Sequence, residues 1–239
     1  MLSIIIPARD EEKAIGGTVA LLNGVLSMEH EVVVSDDCSD DRTSEVAQRA
    51  GAVVVRYCAS RRTPGGSRNR GARASSGEFI AFIDADVSMP EPDAFFRRAL
   101  AHFERDEELA GVCGPQRALP ELETWADRIS FGILNTTLRF QNNVLHHGEA
   151  SGKNMVVRRT AFEKVGGFRE DIATREDGDF FYRLSRVGKT LYDPSLMVYH
   201  RARRAHHVGW VRLWYIWISN SVCFALFNKT LADDWTPVR

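Results

Sequence analysis

A chain of 239 residues with 44% hydrophobic side chains can bury a full core, and it favours one α/β domain with at most a small appendage. The 31 basic and 32 acidic side chains nearly cancel, so no global field advertises a nucleic-acid partner, and none is expected. Cys38, Cys58, Cys113 and Cys223 are widely spaced and form no C-x-x-C pair. That spacing argues against a disulfide framework and a structural zinc site, and a reducing cytosol fits it best.

Leu2 to Pro7 reads as a first strand; it is far too short for a signal-peptide core and has no basic residues ahead of it. A helix follows with Ile15, Val19, Leu22 and Leu26 spaced for one buried face. The rhythm then alternates: strand Glu31 to Ser35, helix Arg42 to Ala50 with Ser39 or Asp40 placed to cap it, strand Ala52 to Arg56, helix Arg68 to Ser75, strand Phe79 to Ile83. This is the pattern of βαβ units on a mostly parallel sheet flanked by helices. Pro90 and Pro92 precede a helix near Asp93 to Glu104, and Ala110 to Cys113 reads as another strand. Glu121 to His147 is one long helical stretch without a regular sheet element. Asn154 to Val157 resumes the sheet, Thr160 to Val165 and Glu176 to Val187 are helical, and Leu196 to Tyr199 is the last expected strand, leading to His200.

Asp84-Ala85-Asp86 stands just past the strand FIAFI, a continuous apolar run suited to the middle of a parallel sheet, at the edge where open α/β sheets bind ligands. An isolated D-x-D is more often a solvated turn. Here PARDEE follows the first strand and SDDCSDDRT the second, so acidic loops crowd the same edge. A pyrophosphate beside such carboxylates requires a cation between them, and hard Mn2+ or Mg2+ takes carboxylate and phosphate oxygens together. Six arginines lie between Arg56 and Arg73, where Pro64-Gly65-Gly66-Ser67 opens a helix; Ala72 and Arg73 stand where a P-loop needs Lys and Ser or Thr. No G-x-G-x-x-G follows a strand, which lowers the odds of a dinucleotide enzyme. Glu176-Asp177-Gly178-Asp179 opens a helix, where acidic residues either complement the macrodipole or supply a general base. His200 is a candidate metal ligand, although a lone His seldom is one.

Five segments in order resemble the inverting glycosyltransferases of family 2 with the GT-A fold: SIIIPARDEE, VVVSDDCSDDRT, RNRGARASSGEFIAFIDADV, SGKNMVVRR and GGFREDIATREDGDFFYRL. The resemblance implies a Rossmann-like α/β domain over residues 1–204, with 121–147 as a helical insert near the acceptor side, and an amphipathic C-terminal segment over 205–239. It implies that Pro7, Ala8 and Glu11 line a nucleoside pocket, that Asp37 meets the base with Arg68 near it, and that Asp84, beside Ala85, contacts the nucleoside. Asp86 would bind the metal, with His200 completing that site. Gly152 would lie beneath the donor sugar, and Asp177 would be the catalytic base, supported by Glu176 and Asp179. Cys38 replaces a Gly common in the second motif.

The implied reaction is a single in-line displacement: Asp177 takes the acceptor proton and the anomeric configuration inverts. No Gln-x-x-Arg-Trp segment follows the Glu-Asp motif, so one sugar per visit is expected. Family frequency leans towards a UDP-sugar over a GDP-sugar donor, and the acceptor is a saccharide or a lipid-linked group such as a polyprenyl phosphate. Arg201, Arg203, Arg204, His206, His207 and Arg212 precede an aromatic stretch, Leu213 to Phe227, whose 15 residues fall short of a membrane span. Such a helix suits either a peripheral position on the inner face of the cytoplasmic membrane or packing against the domain or a second subunit. The rival readings are a sugar nucleotidyltransferase, which should carry a basic Gly-rich loop where PARDEE stands, and a catalytically silent nucleotide-sugar binding module.

Overall fold

A computed structural model of the chain describes residues 1–59 and 62–231. β1 (Leu2–Ala8) is apolar on both faces, with Ile4, Ile5 and Ile6 fully buried, because helices cover the sheet from both sides. α1 (Ile15–Val25) buries Ile15, Val19 and Leu22 and returns the chain to β2 (His30–Asp36), which pairs parallel to β1. α2 (Thr43–Arg49) leads to β3 (Val53–Arg56), parallel to β2 on its outer side. α3 (Pro64–Arg73) then crosses to β4 (Phe79–Ile83), which pairs with the other side of β1. The β1/β4 boundary is therefore where the strand order reverses, and the crevice outside the carboxyl ends of these two strands is the natural ligand site.

α4 (Pro92–Arg105) and β5 (Leu109–Cys113) continue the chain, followed by β6 (Gln116–Ala118) and α5 (Trp125–Asn143). β7 (Asn154–Arg158) inserts antiparallel between β4 and β5; α6 (Arg159–Lys164), α7 (Glu176–Ser185) and β8 (Lys189–Tyr192) follow. The seven-stranded sheet has the order β3-β2-β1-β4-β7-β5-β8. β9 (Val198–His200) pairs with β6 in a separate two-stranded sheet, and α8 (Arg203–Val208) and α9 (Trp210–Phe227) end the described chain. One apolar cluster lies on the α1 and α4 face, and a second lies on the other face beneath Phe162, Phe168, Phe180 and Phe181. A third joins Phe131 of α5 to Ala205 and Leu213.

Two strands were not anticipated. β6 has three residues and no apolar run, and it exists through its ladder to β9; β8 is the short edge of the sheet. The expected cap of α2 is also corrected. Ser39 donates instead to Asp36 and accepts Asp10 N–H, Asp40 N–H is bound by Asp10, and the N-cap is Arg42, whose side chain reaches Glu12 and makes no capping bond. The loop after β2 is thus tied to the loop after β1, while Asp41 accepts Thr43 N–H at 2.9 Å at the start of α2. α3 starts at Pro64, ahead of the expected Arg68, and is capped by Thr63, which accepts Gly66 N–H at 3.1 Å. Residues 232–239 of the expected C-terminal segment lie outside the described residues.

Candidate active site

The loops after β1 and β2 form one wall of the site. Asp37 N–H donates to Ala8 carbonyl at 2.9 Å, and Glu11 N–H donates to Thr43 Oγ1 at 2.8 Å, so Pro7, Ala8, Glu11 and Asp37 are held side by side. Asp36, at the end of β2, is 1% exposed and accepts from Ser39 and Ser44. Burial pushes the carboxyl of Asp37 up while Arg70, 2.9 Å away, opposes it; Arg70 also stacks on Tyr57 at 4.9 Å. Arg68, expected near the base, is instead placed deeper in the site, and Arg70 is the arginine on Asp37. The expectation of four unbridged cysteines is overturned: Cys38 and Cys58 form a disulfide. Their separation of 20 residues hides the fact that β2 and β3 are neighbours in the sheet, so the residues just beyond their ends meet. The bond ties the Asp37 loop to the segment carrying Tyr57. Cys113 is a buried free thiol and Cys223 a partly buried one.

The floor is built on the carboxyl end of β4. Asp84 accepts from Lys153 Nζ at 2.8 Å and Arg68 Nη2 at 3.2 Å. Burial pushes its carboxyl up, but the two cations outweigh that and bring it down to about 2. Asp86 receives Arg203 at Oδ2, with Nη2 at 3.1 Å, and the same guanidinium reaches Glu11 Oε1 at 2.7 Å. Thus a resident cation bridges the two carboxylates. His200 is 5% exposed, packs edge-on against Phe131, and accepts Ala202 N–H at Nδ1 (3.0 Å), while its Nε2 is buried without a hydrogen-bond partner. Burial and the nearby Lys153 depress its pKa to about 3, so the ring is neutral.

The opposite wall is the loop before β7 and the start of α7. Arg68 joins them to the floor, donating to Glu176 Oε1 at 2.9 Å and to Gly152 carbonyl at 3.2 Å. A Cβ on Gly152 would lie 2.3 Å from Arg68 Nη2, so a side chain there would have to push the buried guanidinium aside. Asp177 accepts Gly152 N–H at Oδ2 (2.8 Å) and Gly178 N–H at Oδ1 (2.9 Å), which fixes the plane of its carboxylate. Burial and the neighbouring Asp177 push Glu176 up to about 7. Asp179 turns away and pairs with Arg183 at 2.8 Å.

Lys153, Arg203, Glu149 and Arg175 complete the site and were not assigned to it from the sequence, where Arg203 was read only as part of the basic flank of the C-terminal helix. Lys153 stands in the SGKN segment and could have been read as a partner of the strand-end carboxylates. Nothing in the local sequence marks Glu149, which reaches the site from a loop. A single cavity of about 670 Å³ is lined by the residues named from the sequence for cofactor, metal and catalysis, from Pro7 to His200, with the exception of Asp179. It extends between α5 and α9, where Phe131, Leu134, Leu138, Trp214 and Trp217 line it. Beyond the cavity these helices expose apolar side chains, including Trp125, Ile129, Val211 and Tyr215. α5 begins with a capping box in which Thr124 and Asp127 exchange hydrogen bonds, and Asp127 also accepts from Trp210 Nε1 at 2.8 Å and contacts His206 Nε2 at 2.9 Å. Among the described residues no helix is long and apolar enough to cross a membrane.

Residues 3–166 match the model of glycosyl transferase family 2, and the chain belongs to that family. A pre-mycofactocin glycosyltransferase of Mycobacterium tuberculosis is 29% identical over 212 residues, covering 84% of this chain and 43% of that protein. An uncharacterized glycosyltransferase of Haemophilus influenzae is 25% identical over 207 residues, covering 83% and 65%. The chain thus spans about half to two-thirds of these curated relatives. A mannosyltransferase from Pyrobaculum calidifontis, solved with GDP-Man and Mn2+, superposes with a TM-score of 0.72 at 20% identity over 94% of this chain and 63% of that one. Glucosyl-3-phosphoglycerate synthase from Mycobacterium tuberculosis, with Mn2+, UDP and glucosyl-3-phosphoglycerate, gives 0.62 at 22% identity over 95% and 78%. The fold is GT-A.

Proposed function

We propose that this chain is a metal-dependent inverting glycosyltransferase that moves one sugar from a nucleotide-diphosphate sugar, with UDP favoured, to an acceptor hydroxyl or a lipid-linked phosphate. The observation that carries this reading is Asp177, whose two oxygens are aimed by Gly152 and Gly178 N–H groups into the cavity that also holds Asp84 and Asp86. A carboxylate so fixed can take an acceptor proton at one end while the donor diphosphate lies at the strand ends. Glu11, Asp37, Pro7 and Ala8 would receive the nucleoside, and Asp84, with its two cations, would sit beneath the donor.

Asp86 and His200 fit a divalent cation. Among the described residues no three His, Cys, Asp or Glu side chains group to hold a metal by themselves, so a cation on Asp86 would need diphosphate oxygens to complete its coordination. Asp86 already holds a cation in Arg203, and His200 Nε2 is an orphaned nitrogen. Use of Nε2 requires Ala202 N–H to leave Nδ1, because that bond places the proton of the neutral ring on Nε2. Held there, Mn2+ or Mg2+ would supply charge neutralisation for the departing nucleoside diphosphate. Relatives solved with Mn2+ support the choice of manganese for the first assay.

The exposed apolar faces of α5 and α9 support a peripheral membrane contact that would bring a lipid-linked acceptor to the cavity mouth. Co-sedimentation with anionic vesicles tests this; a dimer in solution without vesicle binding would assign the faces to a second copy. For the reaction itself, a panel of nucleotide sugars is to be assayed for Mn2+-dependent turnover, which should vanish in Asp86→Ala. Release of pyrophosphate from a sugar phosphate and a nucleotide would favour the nucleotidyltransferase. Donor binding without turnover would favour a silent module, and no binding of any nucleotide sugar would overturn the reading.

A further inference from the structure

Arg175 is the most unusual residue of the cavity wall. It precedes α7 with φ 61°, a left-handed conformation that a side chain other than Gly, Asn or Asp seldom adopts. Its hydrogen bond runs to Glu149 Oε2 at 3.1 Å, its guanidinium lies 5.5 Å from the Phe224 ring, and its Nε is buried without a partner. Thr174 beside it donates to Asn220 Oδ1 at 3.2 Å, so α9 holds this segment in place. The fold thus keeps an arginine in a strained backbone at the wall where Asp177 also projects.

We infer that Arg175 is the receptor for an anionic group, phosphate or carboxylate, carried by the acceptor, and that Glu149 is its placeholder in the unliganded protein. This rests on the reading of the Asp177 end of the cavity as the acceptor side. A guanidinium offers a planar fork of five donors that matches an oxyanion in two parallel bonds, more than the contact with Glu149 uses. Glu149 is a weak counter-ion: it is squeezed between Arg175 and α7, so closely that a Cβ on Gly178 would lie 1.9 Å from its Oε1. Burial pushes its carboxyl up to about 7, with Asp177 and Asp179 adding to the rise and Arg175 opposing it. The charged groups around the position include Glu149, Glu176, Asp177 and Asp179 on one side and Arg175, Arg204, Arg68 and Arg169 on the other, with Arg68 engaged by Glu176 and Arg169 sharing the Phe224 ring. An anion therefore gains from Arg175 only by displacing or neutralising Glu149, which makes the two residues opponents rather than partners.

The full chain, saturated with UDP and Mn2+, is titrated with octyl phosphate, octanoate, inorganic phosphate and the neutral octyl glucoside, followed by tryptophan fluorescence. Wild type should bind octyl phosphate at least tenfold more tightly than octyl glucoside. Arg175→Gln should lose that difference and leave octyl glucoside unchanged, Arg175→Lys should fall between, and Glu149→Gln should bind the anion several-fold more tightly. Inorganic phosphate matching octyl phosphate would identify a small anionic acceptor, and a clear preference for the octyl compound an amphiphilic one; both support the assignment. Parallel weakening of all four probes in Arg175→Gln and Glu149→Gln is the signature of a structural ion pair and overturns it, as does equal binding of anion and glucoside by wild type. Failure of wild type to bind UDP with Mn2+ would instead overturn the donor reading.

Discussion

Arg203 donates to Asp86 Oδ2 from Nε at 3.2 Å, placing a fixed positive charge on the carboxylate assigned to the metal. Glu11 shares that guanidinium; its burial pushes its own carboxyl up against the pull of Arg203. A divalent cation must compete with this charge or push it aside. Arg203→Gln should therefore tighten Mn2+ binding to nucleotide-free protein by about tenfold, of the order of 1.4 kcal/mol. Electron paramagnetic resonance of free Mn2+ measures this, and an unchanged affinity would remove the competition.

The Cys38–Cys58 bond closes a loop beside Asp37, in the wall proposed to receive the nucleoside. By chain entropy a loop of this size is worth about 3 kcal/mol. The double variant Cys38→Ser, Cys58→Ser should lose roughly that much stability in urea and bind UDP more weakly, because the Asp37 loop then loses its covalent tie to the segment carrying Tyr57. Thiol counting under denaturing conditions should find Cys113 and Cys223 free and the other pair protected; four reactive thiols in freshly isolated protein would contradict the pairing.

Gly178 has no room for a methyl group because the Glu149 carboxyl lies against it. Gly178→Ala should cost about 1–3 kcal/mol through overpacking, even though alanine favours a helix. Adding Glu149→Ala should recover most of the loss, and a double-mutant cycle from urea melts measures the coupling. Additive losses would show that the two do not collide.

Asp127 fastens the C-terminal helices to α5 through His206 and Trp210. Burial pushes its carboxyl up, but hydrogen bonds from Thr124, His206 and Trp210 outweigh this and bring it to about 2 from 3.8. A depressed carboxyl contributes stability that is present above its unfolded pKa and lost as pH falls through the folded one. Protection of amides 203–227 against hydrogen exchange should therefore decline between about pH 4 and pH 2. Asp127→Asn should show weaker protection at neutral pH and lack this acid step; an identical profile would place the anchor elsewhere.

The parallel half of the sheet was legible because β1, β2 and β4 are continuous apolar runs followed by polar loops, and the strand-end position of Asp84 and Asp86 followed from that alone. The carboxylates could be named for the same reason. Arg203, the cation on Asp86, could not, since it comes from a segment 117 residues away, nor could Glu149, which comes from an irregular loop. β6 was invisible because three residues carry no period. The disulfide was missed because spacing along the chain says nothing about which strand ends lie side by side.

The most direct test of the account is Asp177→Asn assayed with a donor and a hydroxyl acceptor, alongside UDP–Mn2+ affinity in the same variant. General bases contribute about 10²- to 10⁴-fold, so kcat should fall within that range while nucleotide affinity stays at the wild-type level. Full transfer to a hydroxyl by Asp177→Asn would contradict the assignment of the base and with it the proposed chemistry of the site.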